Sequence, residues 1–270
     1  MFTGFNLETS TMFVGYKNIG ENIFKKNKQD IRRGFEEFIS EDGSINGTRM
    51  QNNWFPEVEA DIFLSHSHAD RDKAIGLAGF LHQEFGLNVF IDSCVWGFAN
   101  NLLKQIDDEY CQNDNKTAYI YEKRNYSTSH VHAMLTTALI NMIDKTECMV
   151  FLNTPKSLIT TEVINQTMSP WIYTELALSQ TLRRIPPERH HKILKKGKFE
   201  EGQEYKSLTI TYDVRMDHLK KISQTDLEKW LQIVQLSFKN RPQRVTLHPL
   251  DILYDICGVL YNEVFKIRNR

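Results

Sequence analysis

Apolar residues along the chain fall into short runs and helical stripes separated by polar turns. Ala60-Asp61-Ile62-Phe63-Leu64-Ser65 reads as a short buried strand, ended by the polar run Ser65-His66-Ser67-His68-Ala69-Asp70. Ala74, Ala78, Leu81 and Phe85 then recur at spacings of three and four, which predicts a helix that Gly86 stops. Asn88-Val89-Phe90-Ile91-Asp92 predicts a second strand. Strand, helix and strand in this order form a βαβ unit, so the two strands are expected to lie parallel in one sheet.

The same alternation continues. Residues 93–127 are irregular and polar, after which Val131, Met134, Leu135, Ala138, Leu139, Met142 and Ile143 make a helical stripe with Ser129 as a plausible N-cap. Cys148-Met149-Val150-Phe151-Leu152 is another buried strand, closed by Asn153-Thr154-Pro155, and a further helix begins near Pro170-Trp171. Leu208–Tyr212 reads as a strand, and residues 225–238 and 250–265 as closing helices. Ahead of all this, residues 20–39 carry one amphipathic pattern through Ile23, Phe24, Ile31, Phe35, Phe38 and Ile39, broken by Gly43, Asn46 and Gly47. The expected architecture is α/β, a doubly wound, flavodoxin-like parallel sheet with helical additions at both ends. Its expected divisions are an N-terminal extension at 1–58, the α/β domain at 59–215, and C-terminal helices packed on the core at 216–270.

Composition narrows the partners. The chain has 270 residues, 41% of them hydrophobic and 25% charged, with a formal net charge of −1. That balance predicts no nucleic-acid partner and no binding to an acidic membrane surface. Lys192, Lys195, Lys196 and Lys198 form a local basic run, which reads as a solvated loop or a small phosphate patch. Cys94, Cys111, Cys148 and Cys257 are widely spaced with no CxxC pair, as free thiols in a reducing cytosol would be. Neither an export signal nor a membrane span is legible, so a cytoplasmic location is expected.

One residue breaks the core pattern. At about 100° per residue, a helix from Trp171 puts Leu178, Trp171, Leu182, Ile172 and Leu176 on one apolar arc, and Glu175 falls inside it. A carboxylate there must find a partner or become neutral. A structural ion pair or a rotated helix would answer that need; so would a poised acid at the floor of a cleft.

The turn Ser65-His66-Ser67-His68-Ala69-Asp70-Arg71 lies where open α/β sheets bind ligands, at the carboxyl end of a strand. Running into a helix N-terminus, it suits a phosphate, with Arg71 as a bidentate contact; equally, Ser67 or Asp70 would serve as a cap. His66/His68 and His130/His132 are HxH pairs, but no third ligand has convincing spacing, so no metal site is expected. The nucleophile elbow, the P-loop and the dinucleotide glycine fingerprint are absent.

Three segments together resemble the Toll/interleukin receptor (TIR) family. Asp61–Asp70 is similar to its opening strand and loop, and Gly86–Asp92 to its second strand, with Trp96-Gly97 in the BB loop that follows. Ser169-Pro170-Trp171-Ile172-Tyr173-Thr174-Glu175-Leu176 is similar to its W-x-x-x-E-L motif. The resemblance covers roughly residues 59–215 and departs from the family at residues 98–128, which are long, and at the two histidines of the first loop.

The resemblance implies a TIR fold and an NAD+-cleaving enzyme with Glu175 as the catalytic residue. A carboxylate beside the ribosyl carbon stabilises the positive charge left when nicotinamide departs, or forms a covalent ribosyl intermediate. Phe63 and Trp171 would wall the site, Ser65, His66, Ser67, Asp70 and Arg71 would bind ribose and phosphate, and Trp96 would wall the nicotinamide pocket. NAD+ enters as substrate, and no cofactor is implied. Ser129–Leu152 and the Ser-Pro-Trp-Ile segment further resemble the TIR proteins of Thoeris-type anti-phage systems. Those assemble as oligomers and make an ADP-ribose-derived signal, possibly cyclic, for a separate effector. The alternatives are a non-catalytic TIR interaction module and an enzyme that transfers the N-glycosyl group of another nucleoside or nucleotide.

Overall fold

The computed structural model of the chain describes residues 1–29, 38–40, 44–55, 57–160, 165–182, 184–187, 189, 212–239 and 247–259. In chain order, β1 (Thr3–Glu8) leads to α1 (Lys17–Gln29) and α2 (Gly47–Trp54), and then come β2 (Ile62–Ser65), α3 (Arg71–Phe85) and β3 (Val89–Ile91). Two helices follow, α4 (Ser93–Tyr110) and α5 (Tyr121–Lys145), before β4 (Cys148–Asn153). After β5 (Ile159–Thr160) and β6 (Asn165–Thr167) come α6 (Pro170–Thr181), β7 (Tyr212–Asp213), β8 (Lys220–Ile222), α7 (Gln224–Lys239) and α8 (Pro249–Ile256).

Five strands form one parallel sheet in the order β3-β2-β4-β1-β8. Side chains alternate across it, because successive residues of a strand face opposite ways. Phe5, Leu7, Ile62, Leu64, Val89, Ile91, Val150 and Leu152 join the core beneath α1, α3, α7 and α8. Phe63, Phe90, Met149 and Phe151 join a second core beneath α2, α4, α5 and α6. Helices therefore cover both faces, and the fold is the doubly wound, flavodoxin-like α/β arrangement that the alternation of strands and helices predicts. A small antiparallel sheet, β5-β6-β7, stands apart from it. Among the described residues no helix is long and apolar enough to cross a membrane.

Several boundaries differ from the sequence reading. Residues 1–58 are not an appendage: β1 is an inner strand, paired along its whole length with β4 and again with β8. Nor is 216–270 purely helical, since β8 closes the sheet. The stretch from 93 is helical rather than irregular, because Phe98, Ala99, Leu102 and Ile106 make a buried stripe. In consequence Trp96-Gly97 lies within α4 and not in a loop. Ser129 is no cap: α5 begins at Tyr121, and the Ser129 hydroxyl bonds back to the Asn125 carbonyl at 2.8 Å. Of the expected strand 208–212 only Tyr212 lies among the described residues, as do neither the lysines of 192–198 nor residues 260–265 of the last helix.

Helices α1 and α3 touch through their glycines. A Cβ on Gly20 would stand 1.8 Å from the Ile75 carbonyl oxygen, and one on Gly79 would stand 2.1 Å from that of Tyr16. This close approach fixes how α3 lies on the sheet and so how the turn before it is presented.

Candidate active site

Strands β2 and β4 are neighbours, yet the chain leaves them towards opposite faces, β2 into α3 and β4 by way of β5 and β6 into α6. In an open α/β sheet such a reversal opens a crevice at the carboxyl ends of the two strands. Asp70, just beyond β2, spans this crevice: it accepts from the Thr154 hydroxyl and lies 3.7 Å from the Lys156 ammonium, both just beyond β4.

Helix α6 delivers the acid. Ser169 caps it by accepting from the Ile172 N–H at 3.3 Å, and Pro170 occupies the first turn. Ile172, Glu175, Leu176 and Ser179, at helical spacing, form its buried stripe. Glu175 is 0% exposed, as are Ser65, His66 and Asp92. The Ser65 hydroxyl donates to Glu175 Oε2 at 2.6 Å. No N–H or hydroxyl donor reaches Glu175 Oε1 among the described residues.

Asp92 completes the group from the end of β3. Its Oδ2 accepts from the His66 backbone N–H at 3.2 Å, and its Oδ1 lies 2.5 Å from His66 Nδ1. Burial pushes the Glu175 carboxyl well above the ordinary carboxylate range. The charge of Asp92 and a hydrogen bond between the two carboxyls push it the same way, while the Ser65 donor opposes them. The arrangement is an acid beside a second carboxyl, both closed from solvent.

The structure thus brings Glu175, Ser65 and His66 together and scatters the rest. Phe63 packs against Phe90 in the core, ring centroids 5.5 Å apart. Ser67 caps the short turn His68–Asp70, accepting from the Ala69 N–H at 3.3 Å. The Arg71 guanidinium lies over the Phe24 ring at 4.7 Å, on the face of the sheet opposite α6. Trp171 meets His132 edge-on at 5.5 Å and lines a hollow of about 40 Å³, a space the size of a water and too small for a nicotinamide ring. The Trp96 side chain lies outside the described part. Asp92 was missed by the sequence reading, although an acid closing the second strand of a βαβ unit sits at the ligand-binding edge of the sheet.

Other features lie away from this group. A cavity of about 820 Å³ lies between α2, α4 and α5, lined by Met50, Ile106, Tyr110, Cys111, Tyr126 and Met134 among others. Ligand atoms of Glu147, His248 and Asp251 lie within 4.8 Å of one another, but the Arg189 guanidinium bridges Glu147 and Asp251 and already supplies a positive charge. The other HxH pair is split, His130 against Tyr126 and His132 against Trp171.

No protein-family model matches the chain, and no curated protein or solved structure matches it either.

Proposed function

We propose that the protein is a TIR-type enzyme that cleaves the nicotinamide–ribose bond of NAD+, with Glu175 as its catalytic carboxyl. The observation that carries this reading is the position of Glu175: fully buried at the carboxyl end of a parallel sheet, hydrogen-bonded through one oxygen to Ser65 and set beside the buried Asp92. A buried acid set beside a second acid is costly to keep for stability alone. Its chemistry suits the reaction. The electron pair of the C1′–N bond leaves with neutral nicotinamide, and the ribosyl carbon turns cationic beside a carboxylate in a medium of low dielectric.

The fuller reading makes the product an ADP-ribose-derived signal for a separate effector in bacterial anti-phage defence, released by an oligomer of this chain. Activity that rises more steeply than protein concentration would support the oligomer; full activity of a proven monomer would exclude it.

One observation favours a second reading. Glu175, Ser65 and Asp92 are all closed from solvent, as the interior of a non-catalytic interaction module would be. Incubation with NAD+, with and without infected-cell lysate, separates the two. Mass spectrometry should find nicotinamide with an ADP-ribose-derived partner from the wild type and none from Glu175→Gln. Equal turnover by that variant removes Glu175 from the chemistry, and no turnover under any condition favours the module. Release of a different base from other nucleotides would instead reveal an N-glycosyl transferase.

A further inference from the structure

A polar cavity lies at the other end of the sheet from Glu175. Val58 and Glu59, which line it, lead into β2, and Asn88 and Val89 open β3, so it sits at the amino ends of those strands. Helix α1 forms one side and His82, in the last turn of α3, another. Its volume of about 530 Å³ is that of a small-molecule site. Asn27 of α1 lines the cavity and is only 8% exposed, yet its Nδ2 has no hydrogen-bond partner among the described residues. Buried polar groups are almost always paired, so a buried amide donor facing a cavity without a partner points to a ligand. The charged groups say which kind. Lys26 and Glu59 are exposed at the rim and form no ion pair among the described residues, whereas Glu57 beside them is paired with Lys145. His82 Nδ1 lies 3.3 Å from the Leu87 carbonyl oxygen and so carries the proton, which leaves Nε2 as an acceptor. Ile19, Ile23, Val58 and Val89 supply aliphatic walls. No Phe, Tyr or Trp among the described residues lines the cavity, so a flat ring finds nothing to stack on.

We infer that this cavity is a binding site for a free aliphatic amino acid. The carboxylate of such a zwitterion accepts from the Asn27 amide and pairs with Lys26, its ammonium pairs with Glu59 and donates to His82 Nε2, and its side chain lies on the aliphatic walls. One positive and one negative group at the rim suit a ligand that carries both charges. An anion alone would meet the repulsion of Glu59, and a cation alone that of Lys26. The site stands apart from Glu175 and does not depend on the proposed NAD+ chemistry.

The test uses the intact protein with L-leucine, L-isoleucine and L-valine as probes, read by calorimetry and by the shift in melting temperature. At least one should bind with a dissociation constant of about 1 mM or lower and raise the melting temperature as its concentration grows. Leucinamide lacks the carboxylate and N-acetyl-leucine lacks the ammonium, so each should bind about tenfold or more weakly than leucine. Asn27→Leu should abolish binding and raise the melting temperature of the ligand-free protein, since it removes a buried amide that has no partner. Lys26→Gln, at an exposed position, should weaken binding about tenfold and leave the ligand-free melting temperature in place, which keeps the test decisive if Asn27→Leu fails to fold. Glu175→Gln should bind as the wild type does. Failure of all three amino acids to bind at about 10 mM would overturn the inference. So would leucine binding that is matched by both analogues, or that is unchanged in folded Asn27→Leu or in Lys26→Gln.

Discussion

The Ser65 hydroxyl donates to Glu175 Oε2 over 2.6 Å and ties the end of β2 to α6 across 110 positions of the chain. It is a donor to a carboxyl in a dry site, so it favours the ionised form that burial and Asp92 resist. Ser65→Ala should remove about 1 kcal/mol of stability and lower NAD+ turnover roughly tenfold. Thermal unfolding and kcat/KM measure the two effects. Unchanged kcat/KM would mean that the bond is structural only.

Glu175→Gln should abolish turnover, by about 100-fold or more, and should also change how stability depends on pH. The folded carboxyl titrates above its unfolded counterpart, so its contribution is full at pH below the unfolded value and is lost as pH rises through the folded one. Gln has no such loss. Relative to wild type, the variant should gain in melting temperature between pH 5 and pH 8. A constant difference across that window would show that Glu175 is charged in the folded protein.

His218 works in the opposite sense. Burial pushes its imidazole down to about 4 from an ordinary 6.5, with the Arg184 charge helping. The Ser179 hydroxyl gives its proton to the Leu176 carbonyl at 2.8 Å, so it accepts from His218 Nε2, which fixes the tautomer. A group lowered in this way contributes stability above pH 6.5 and loses it as pH falls towards 4. His218→Gln should flatten the unfolding free energy between those values, as urea titrations at pH 4.5 and 7 would show. An equally steep loss in the variant would place the acid sensitivity elsewhere.

The glycine contact between α1 and α3 makes a mechanical prediction. Gly79→Ala places a Cβ 2.1 Å from the Tyr16 carbonyl oxygen, which is backbone and cannot swing away. The helices must separate, and the expected loss is about 1–3 kcal/mol. A Cβ at Gly15 meets nothing within 4 Å, so Gly15→Ala is the control and should leave the midpoint of denaturation in place. Equal midpoints for both variants would mean that the helices part without penalty.

Local pattern made part of this fold legible. β2, α3, β3 and β4 announce themselves through apolar runs and stripes bounded by turn residues, and α6 through Ser169-Pro170. Its helical wheel also singled out Glu175. β1 was invisible for a physical reason. Gly4 and Asn6 occupy one of its faces, so it lacks the continuous apolar run of an inner parallel strand, and its partner β4 lies far along the chain. The group around Glu175 was half legible. Ser65 and His66 lay in a turn that the sheet topology already marks. The tie between Asp92 and His66 is a tertiary contact that spacing along the chain cannot express.

The place of β1 has a consequence for how the protein is made and cut. β1 leaves the ribosome ahead of its partners and waits for neighbours translated long afterwards, the last of which, β8, arrives only at Lys220–Ile222. A chain ended at residue 215, the limit of the resemblance, would leave β1 as a bare border, its amides and carbonyls open to any passing strand. Such a fragment would be a seed for aggregation rather than a minimal enzyme.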